Sequence, residues 1–158
     1  MMGHHTDYND GFVLTVGLVL DTVAAGRLRD DDVISVHSAN FGKTVDFSLG
    51  RIAHDEIDTW SNYVRGVVAC LRDAGVEMRG ANIVLHGTVP IGSGMSSSAS
   101  IEIAVGFLLQ TLLGFDMSGP DLARVGQKAE NEFVGVNTGL MDQFTSRLAK
   151  NDHALFLD

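Results

Sequence analysis

Hydrophobic residues recur along parts of the chain in short runs that are typical of β-strands. An apolar run rich in β-branched residues extends from Phe12 to Leu20, and shorter runs cover Val33–His37 and Lys43–Phe47. Two further runs, at Asn82–His86 and Ala154–Leu157, have the same character. Turn-forming residues separate neighbouring runs. The pattern predicts strands, and we expect the first three to form an antiparallel sheet.

Elsewhere the apolar positions are spaced three and four residues apart, which is the period of an amphipathic helix. One such helix is predicted for Thr59–Ala74, and Gly75 directly after it is a typical helix stop. A second helix is predicted from about Ser98 to Leu113. A third begins near Ser118, which can cap its first turn, and continues to about Glu132. Strands followed by a group of helices favour an α+β fold over alternating βαβ units.

Composition limits the classes of partner. The 158 residues suffice for one domain with a buried core, and 20 acidic against 11 basic residues give a net charge of −9. This charge repels nucleic acids and anionic membrane surfaces, and no apolar stretch is long enough for a membrane span. We therefore expect neither nucleic acid nor membrane as a partner. The single Cys70, in an apolar run, predicts a small core residue and a reducing, cytoplasmic setting.

A loop rich in glycine and serine, Pro90–Ser100, lies between a predicted strand and a predicted helix. Its glycines allow the backbone to approach a ligand closely, and its serines can cap the helix. Unpaired N–H groups and the positive end of the helix dipole favour an anion at such a place. The Walker A spacing is absent. The alternative is a flexible loop before a well-capped helix, but three successive serines exceed what capping requires and favour phosphate binding.

Three other polar features are open to more than one interpretation. The segment Gly3–Gly11 concentrates short polar side chains that suit the hydroxyls of a sugar, although the same residues would also suit a solvated turn. Glu130 has the default interpretation of an exposed helix carboxylate. Asp142 follows the apolar Leu140 and Met141, so it is either a partly desolvated carboxylate with a chemical task or a helix cap.

Five segments together resemble the GHMP kinases and, among these, the galactokinase branch. In the order expected for that branch, they are Gly3–Gly11, Trp60–Val67, Pro90–Ser100, Ala129–Val136 and Gly139–Phe144. The resemblance implies an α+β fold, that of the GHMP-kinase amino-terminal domain (ribosomal protein S5 domain 2-like), with a mixed sheet packed on helices. It also implies that residues 1–158 are one such domain, truncated at both ends.

The resemblance implies a sugar kinase that transfers the γ-phosphate of ATP to the anomeric hydroxyl of galactose. The phosphate-binding residues that it implies are Gly92, Ser93, Gly94, Met95, Ser96, Ser97 and Ser98. It implies that His5 and Asp7 contact sugar hydroxyls and that Gly139 offers the sugar a backbone contact. The resemblance further implies that Asp142 lies at the sugar, as the catalytic base that accepts the proton of the anomeric hydroxyl.

A magnesium site is implied as well, with Ser98 and Glu130 as its ligands. Oxygen ligands of this kind suit a hard cation, and Mg²⁺ neutralises charge as the phosphoryl group moves. Two parts of the family pattern lie outside this chain: an arginine upstream of the histidine-aspartate segment, and a second domain that closes over the nucleotide. His4 stands where the family usually has a glutamate.

These departures leave alternatives to galactose phosphorylation. One is a GHMP kinase for another sugar, such as N-acetylgalactosamine or arabinose, because the change at His4 affects the sugar segment. A second is a non-catalytic sensor that binds galactose and ATP. A third is a gene fragment without activity of its own. For the isolated chain we expect weak turnover or none.

Overall fold

The computed structural model describes residues 5–9 and 11–158. Its strands are β1 (Val13–Val16), β2 (Thr22–Leu28), β3 (Val33–Ser38), β4 (Lys43–Ser48), β5 (Ala81–Gly87) and β6 (Ala154–Leu157). Its helices are α1 (Ser61–Asp73), α2 (Ser97–Leu113), α3 (Gly119–Lys128), a π-helix (Ala129–Val134) that continues α3, and α4 (Met141–Leu148). The predicted α+β class is therefore observed.

Four strands form one mixed sheet in the order β2-β5-β3-β4. β5 runs antiparallel to β2 but parallel to β3, because α1 carries the chain across the sheet between β4 and β5. The expectation of an antiparallel sheet built from the first three predicted strands is wrong. β1 pairs instead with β6 in a separate two-stranded sheet, in which Val13 lies opposite Leu157.

The longest predicted strand is also divided in a way that the pattern did not indicate. Of the run Phe12–Leu20, only β1 is extended and paired, and β2 begins after it at Thr22. β2 contains Ala24, Ala25 and Gly26, residue types with low strand propensity. Pairing with β5 along its whole length determines its conformation, so tertiary contacts outweigh local preference here.

Helices cover one face of the mixed sheet. Ile34 and Val36 of β3 pack with Val64 and Val68 of α1, and all four side chains are fully buried. Val23 on the opposite face remains 55% exposed. The sheet therefore has one dry face, as is common for sheets with antiparallel edges.

Several predicted helix ends agree with the structure. α1 is followed by Gly75 in the left-handed conformation, with φ of +89°, as its role as a helix stop requires. The Ser118 side chain accepts a hydrogen bond from the backbone N–H of Asp121, so the predicted cap of α3 is confirmed. Cys70 is buried in the core, also as predicted. None of the helices in the described ranges combines the length and the apolar character that a membrane span needs.

Candidate active site

An open cleft of about 990 Å³ brings together residues that are far apart in sequence. Met95 and Ser96 of the glycine-serine loop line it, as does Asp142 near the start of α4. Ser100 of α2 and Thr145 of α4 form part of the wall between them. The predicted base and the predicted phosphate loop therefore face one common space.

The glycine-serine loop has alternating backbone handedness. Gly92, Gly94 and Ser96 have φ values of +72°, +73° and +61°, whereas the residues between them have ordinary negative φ. Gly92 and Gly94 are exposed, and a Cβ atom on either would meet no neighbouring atom. Glycine is thus favoured at these two positions by the positive φ of the backbone, and not by a lack of space for a side chain. Backbone of alternating handedness can turn successive N–H groups toward one side, which suits an anion.

The first turn of α2 lacks the side-chain cap that the serines could have provided. Ser96 stands at the cap position with a left-handed backbone instead of the extended one usual for a cap, and its side chain forms no cap hydrogen bond. Ser93 donates its hydroxyl to the carbonyl of Pro90 instead, at 2.7 Å. The well-capped helix of the alternative interpretation is therefore not observed, and the first N–H groups of α2 keep their capacity to bind an anion.

Side chains at the base of the loop fix it to the sheet. Thr88 and Asp21 are joined by backbone and side-chain hydrogen bonds, among them Asp21 N–H to Thr88 Oγ1 at 2.9 Å. Ser100 donates its hydroxyl to Thr22 Oγ1 at 2.7 Å and so ties α2 to β2. The loop is thus anchored at its base to the sheet and to α2, the usual arrangement of a ligand-binding loop.

The predicted sugar segment contacts the start of α4. The Asp7 carboxylate accepts a hydrogen bond from the backbone N–H of Met141 at 2.8 Å. It also lies so close to Gly139 that any side chain at position 139 would overlap it. Asp7, Gly139 and Asp142 therefore lie together, although more than 130 residues separate the first from the others. His5 Nδ1 lies 2.6 Å from the hydroxyl of Tyr8. Gly3, His4 and Asp10 of the same segment fall outside the described residues.

Glu130 is buried, contrary to its default interpretation as an exposed helix carboxylate. Only 4% of it is exposed, and it lies in the π-helix, a conformation that is frequent at functional sites. Its Oε2 accepts hydrogen bonds from Thr138 Oγ1 at 2.9 Å and from Gln143 Nε2 at 2.8 Å.

A second carboxylate, Glu102 of α2, belongs to the same group. It is 1% exposed, and its Oε2 accepts a hydrogen bond from the same Gln143 Nε2 at 3.0 Å. Burial raises the pKa of Glu102 well above its ordinary value, and the nearby charge of Glu130 acts in the same direction. We call Glu102, Glu130 and Gln143 the buried carboxylate cluster.

The two predicted magnesium ligands lie on elements that this cluster joins, Ser98 on α2 and Glu130 on the π-helix. Ser98 lies one helical turn before Glu102 on α2, and Glu102 shares its hydrogen-bond donor with Glu130. Both hydrogen bonds to Glu130 fall on Oε2, so among the described residues its Oε1 keeps its capacity for another partner. A hydroxyl and a carboxylate are suitable ligands for Mg²⁺, which usually retains waters. The described residues contain no group of three or more histidine, cysteine and acidic side chains that would hold a metal alone.

Sequence reasoning missed Glu102, Thr138 and Gln143. Glu102 did carry a signal, because it is the only charged residue of α2 and lies in an otherwise apolar stretch. Gln143 carried none, since an amide next to Asp142 has nothing in the sequence to show that it is buried. α4 was not predicted either, because a helix of eight residues is too short to show a clear helical spacing of apolar residues.

Comparison with known proteins agrees with this architecture. A model of the GHMP kinases N terminal domain matches residues 62–150, and a galactokinase galactose-binding signature matches residues 1–28. Galactokinase from Streptococcus suis is 40% identical over 161 residues, an alignment that covers 100% of this chain and 41% of that protein. The crystal structure of Lactococcus lactis galactokinase complexed with galactose has a TM-score of 0.93 and 38% identity, over 99% of this chain and 41% of that chain.

A more distant structure shares only the fold. Methanococcus jannaschii mevalonate kinase has a TM-score of 0.81 at 18% identity, over 98% of this chain and 49% of that chain. The chain thus spans about two fifths of the length of the galactokinases that it matches. The predicted resemblance and the predicted fold are confirmed. Because the GHMP model covers more than half of the sequence, the chain belongs to the GHMP kinases, by their amino-terminal domain.

Proposed function

We propose that this chain provides the phosphate loop, the sugar segment and the base of a galactokinase-type transferase, which phosphorylates the anomeric hydroxyl of galactose with ATP. The observation that carries the proposal is the common cleft of Asp142, Met95 and Ser96. Transfer from ATP to a sugar requires the base and the phosphate cradle to face the same space. Similarity to galactokinases over the whole chain supports galactose as the sugar.

In this mechanism Asp7 and His5 hydrogen-bond to sugar hydroxyls, and the backbone at Gly139 completes that side of the sugar. Asp7 is suited to the role because its hydrogen bond from Met141 N–H fixes its carboxylate at the start of α4. Asp142 takes the proton of the anomeric hydroxyl as that oxygen attacks the γ-phosphorus. General-base help of this kind contributes roughly 10²–10⁴-fold to the rate. The products are galactose 1-phosphate and ADP.

The phosphates of ATP bind the N–H groups of Gly92–Ser98 and of the first turn of α2. The uncapped helix end supports this assignment, because a cap would compete with the phosphate for the same donors. Ser98 and Glu130 are proposed to hold Mg²⁺, which would neutralise charge on the phosphate oxygens. A reducing, cytoplasmic setting is part of the proposal, since the lone Cys70 is a buried thiol.

The test combines binding with turnover, using the 158-residue chain and its Asp142→Asn variant. Galactose and MgATP are titrated by calorimetry, and galactose-dependent ADP release is followed in a coupled assay. We expect both proteins to bind galactose and MgATP, because the substitution keeps the shape of the side chain. Any ADP release by the wild-type chain should fall roughly 10²–10⁴-fold in the variant.

The outcomes separate the alternatives. Galactose binding without ADP release in either protein would favour a non-catalytic sensor of galactose and ATP, or a piece that needs the rest of the enzyme. Faster release with N-acetylgalactosamine or arabinose would correct the identity of the sugar. A chain that binds neither galactose nor MgATP would contradict the proposal.

A further inference from the structure

Gln143 lies between two buried carboxylates and is itself completely buried. Its Nε2 donates to Oε2 of Glu102 at 3.0 Å and to Oε2 of Glu130 at 2.8 Å. The amide nitrogen carries two hydrogens, and these two hydrogen bonds to carboxylate oxygens use both of them. This single side chain of α4 therefore ties α2 to the π-helix.

The orientation of Glu130 depends on this amide. Gln143 and Thr138 both donate to Oε2 of Glu130, which holds the carboxylate by one oxygen and leaves Oε1 available to another partner. Gln143 is also the residue next to Asp142, so the same hydrogen bonds fix the backbone of α4 beside the proposed base. One amide thus sets the position of Glu130 relative to Asp142.

The buried carboxylate cluster is costly for a purely structural feature. Oε1 of Glu102 and Oε1 of Gln143 are buried without a hydrogen-bond partner among the described residues. No lysine or arginine of the described ranges forms an ion pair with Glu102 or Glu130. An apolar group of similar volume would avoid the cost of unpaired polar atoms. This cost is explained if the hydrogen bonds of the cluster are needed to hold the Glu130 carboxylate in one orientation.

Close packing against α3 leaves the side chains of Gln143 and Glu102 little room to move. A Cβ atom on Gly126 of α3 would lie 3.2 Å from Cγ of Gln143 and 3.5 Å from both Cβ and Oε2 of Glu102. The absence of a side chain at Gly126 thus makes room for the bridge. Tight packing of this kind is needed where a supporting residue must hold a ligand-binding group in place.

We propose that Gln143 is a positioning residue for phosphoryl transfer, whose amide orients the Glu130 carboxylate toward the metal-bound nucleotide and in register with Asp142, with Glu102 as its buried anchor. The inference rests on the proposed function, because it takes Glu130 as a metal ligand. It assigns roles to Gln143 and Glu102 that do not involve contact with substrate.

The test measures binding of Mn²⁺, as a probe for Mg²⁺, to the 158-residue chain with ATP present, by the electron paramagnetic resonance of free Mn²⁺. Gln143→Met keeps the approximate volume and removes both hydrogen bonds. We expect Mn²⁺ affinity to fall roughly 10- to 100-fold, as is typical for the loss of a residue that orients a metal ligand.

Gln110→Met is the matched control. Gln110 also lies in a helix, donates from Nε2 to the carbonyl of Met117 at 2.8 Å, and has a buried Oε1 without a partner among the described residues. It lies two turns beyond Glu102 on α2, away from the cluster. We expect this control to lower thermal stability without changing Mn²⁺ affinity.

A second pair of variants carries the test if Gln143→Met fails to fold, as judged by far-UV circular dichroism. Glu102→Gln keeps an oxygen that accepts from Gln143, whereas Glu102→Leu does not. We expect Mn²⁺ affinity to fall in the leucine variant and to be retained in the glutamine variant.

Glu130→Gln distinguishes failure of the inference from failure of the proposed function. If Glu130→Gln loses Mn²⁺ affinity while Gln143→Met and Glu102→Leu retain it, the positioning role is wrong and the metal assignment stands. Equal losses in Gln143→Met and Gln110→Met would also overturn it, because general destabilisation would then explain both. If the wild-type chain does not bind Mn²⁺ with ATP, or if Glu130→Gln binds it unchanged, the metal assignment fails and the inference with it.

Discussion

Glycines occur on both sides of the cleft, but for opposite physical reasons. In the phosphate loop, Gly92 and Gly94 have positive φ, and a Cβ atom on either would meet only open space. On the side of the base, Gly139 and Gly126 have no unusual φ, but a Cβ atom would meet Asp7 or Gln143. The loop depends on backbone conformation, whereas the opposite side depends on close contact. The same residue type therefore predicts different consequences when it is replaced.

The largest effect is expected for Gly139→Ala. The added methyl would overlap the Asp7 carboxylate and displace it from Met141 N–H. A hydrogen bond to a charged group contributes about 1.5–3 kcal/mol, so galactose affinity should fall by roughly 10- to 150-fold. Calorimetric titration with galactose measures this, and MgATP affinity serves as the internal control. Unchanged galactose affinity would show that close contact at Gly139 does not matter for the sugar.

A smaller effect is expected for Gly94→Ala in the loop. The left-handed conformation costs a residue with a Cβ atom about 1–2 kcal/mol, which corresponds to roughly 5- to 30-fold in MgATP affinity. Gly42 is the matched control, because it also has positive φ, +63°, and open space, but lies in the turn between β3 and β4. Gly42→Ala should lower stability by a similar amount and leave MgATP affinity unchanged. Equal MgATP affinities in the two variants would refute the conformational role of the loop glycine.

A change of only a few-fold is expected for Gly126→Ala. The methyl would press on Cγ of Gln143, but the better helix propensity of alanine offsets part of the strain, by about 1 kcal/mol. Gly106→Ala is the control, because its Cβ atom would meet Leu122 instead of the buried carboxylate cluster. Gly106→Ala should have the lower urea midpoint, because its Cβ atom would lie 2.8 Å from Cδ1 of the buried Leu122, but only Gly126→Ala should weaken Mn²⁺ binding. A parallel weakening in both would mean that packing at Gly126 does not act through Gln143.

The smallest effect is expected for Cys70, whose reactivity reports whether α1 opens from its neighbouring helices. Burial raises the pKa of Cys70 in α1 from 9.0 to about 11, and the thiolate is the reactive form. Ellman's reagent should therefore label the native chain slowly at pH 8 and the urea-unfolded chain quickly.

The pH dependence of stability follows from the same pKa shift. Because the pKa of Cys70 is higher in the folded chain than in the unfolded one, its contribution to stability is present below pH 9 and is lost between pH 9 and 11. Cys70→Ala should flatten that part of the pH profile, and fast native labelling would mean that α1 opens readily.

Local patterns predicted those parts of the fold that local chemistry determines. Helical periodicity placed α1 within two residues at its start and one at its end, and Ser118 marked the beginning of α3. β2 was missed because its alanines and glycine favour no strand, and only its partner β5 keeps it extended. The π-helical turn at Glu130 left no trace in the periodicity either, since a single wide turn changes the spacing by only one residue.

The sequence by itself determined the family, the boundaries of α1 and, at the cleft, the glycine-serine loop and Asp142, because glycine-serine loops and short polar segments carry their chemistry locally. Only the tertiary structure decided which strands pair, that Asp7 contacts Gly139, and that Glu102, Glu130 and Gln143 form one cluster. These contacts join residues far apart in the chain. Their energies depend on burial and on distances of a few ångströms, and neither is encoded by any one segment.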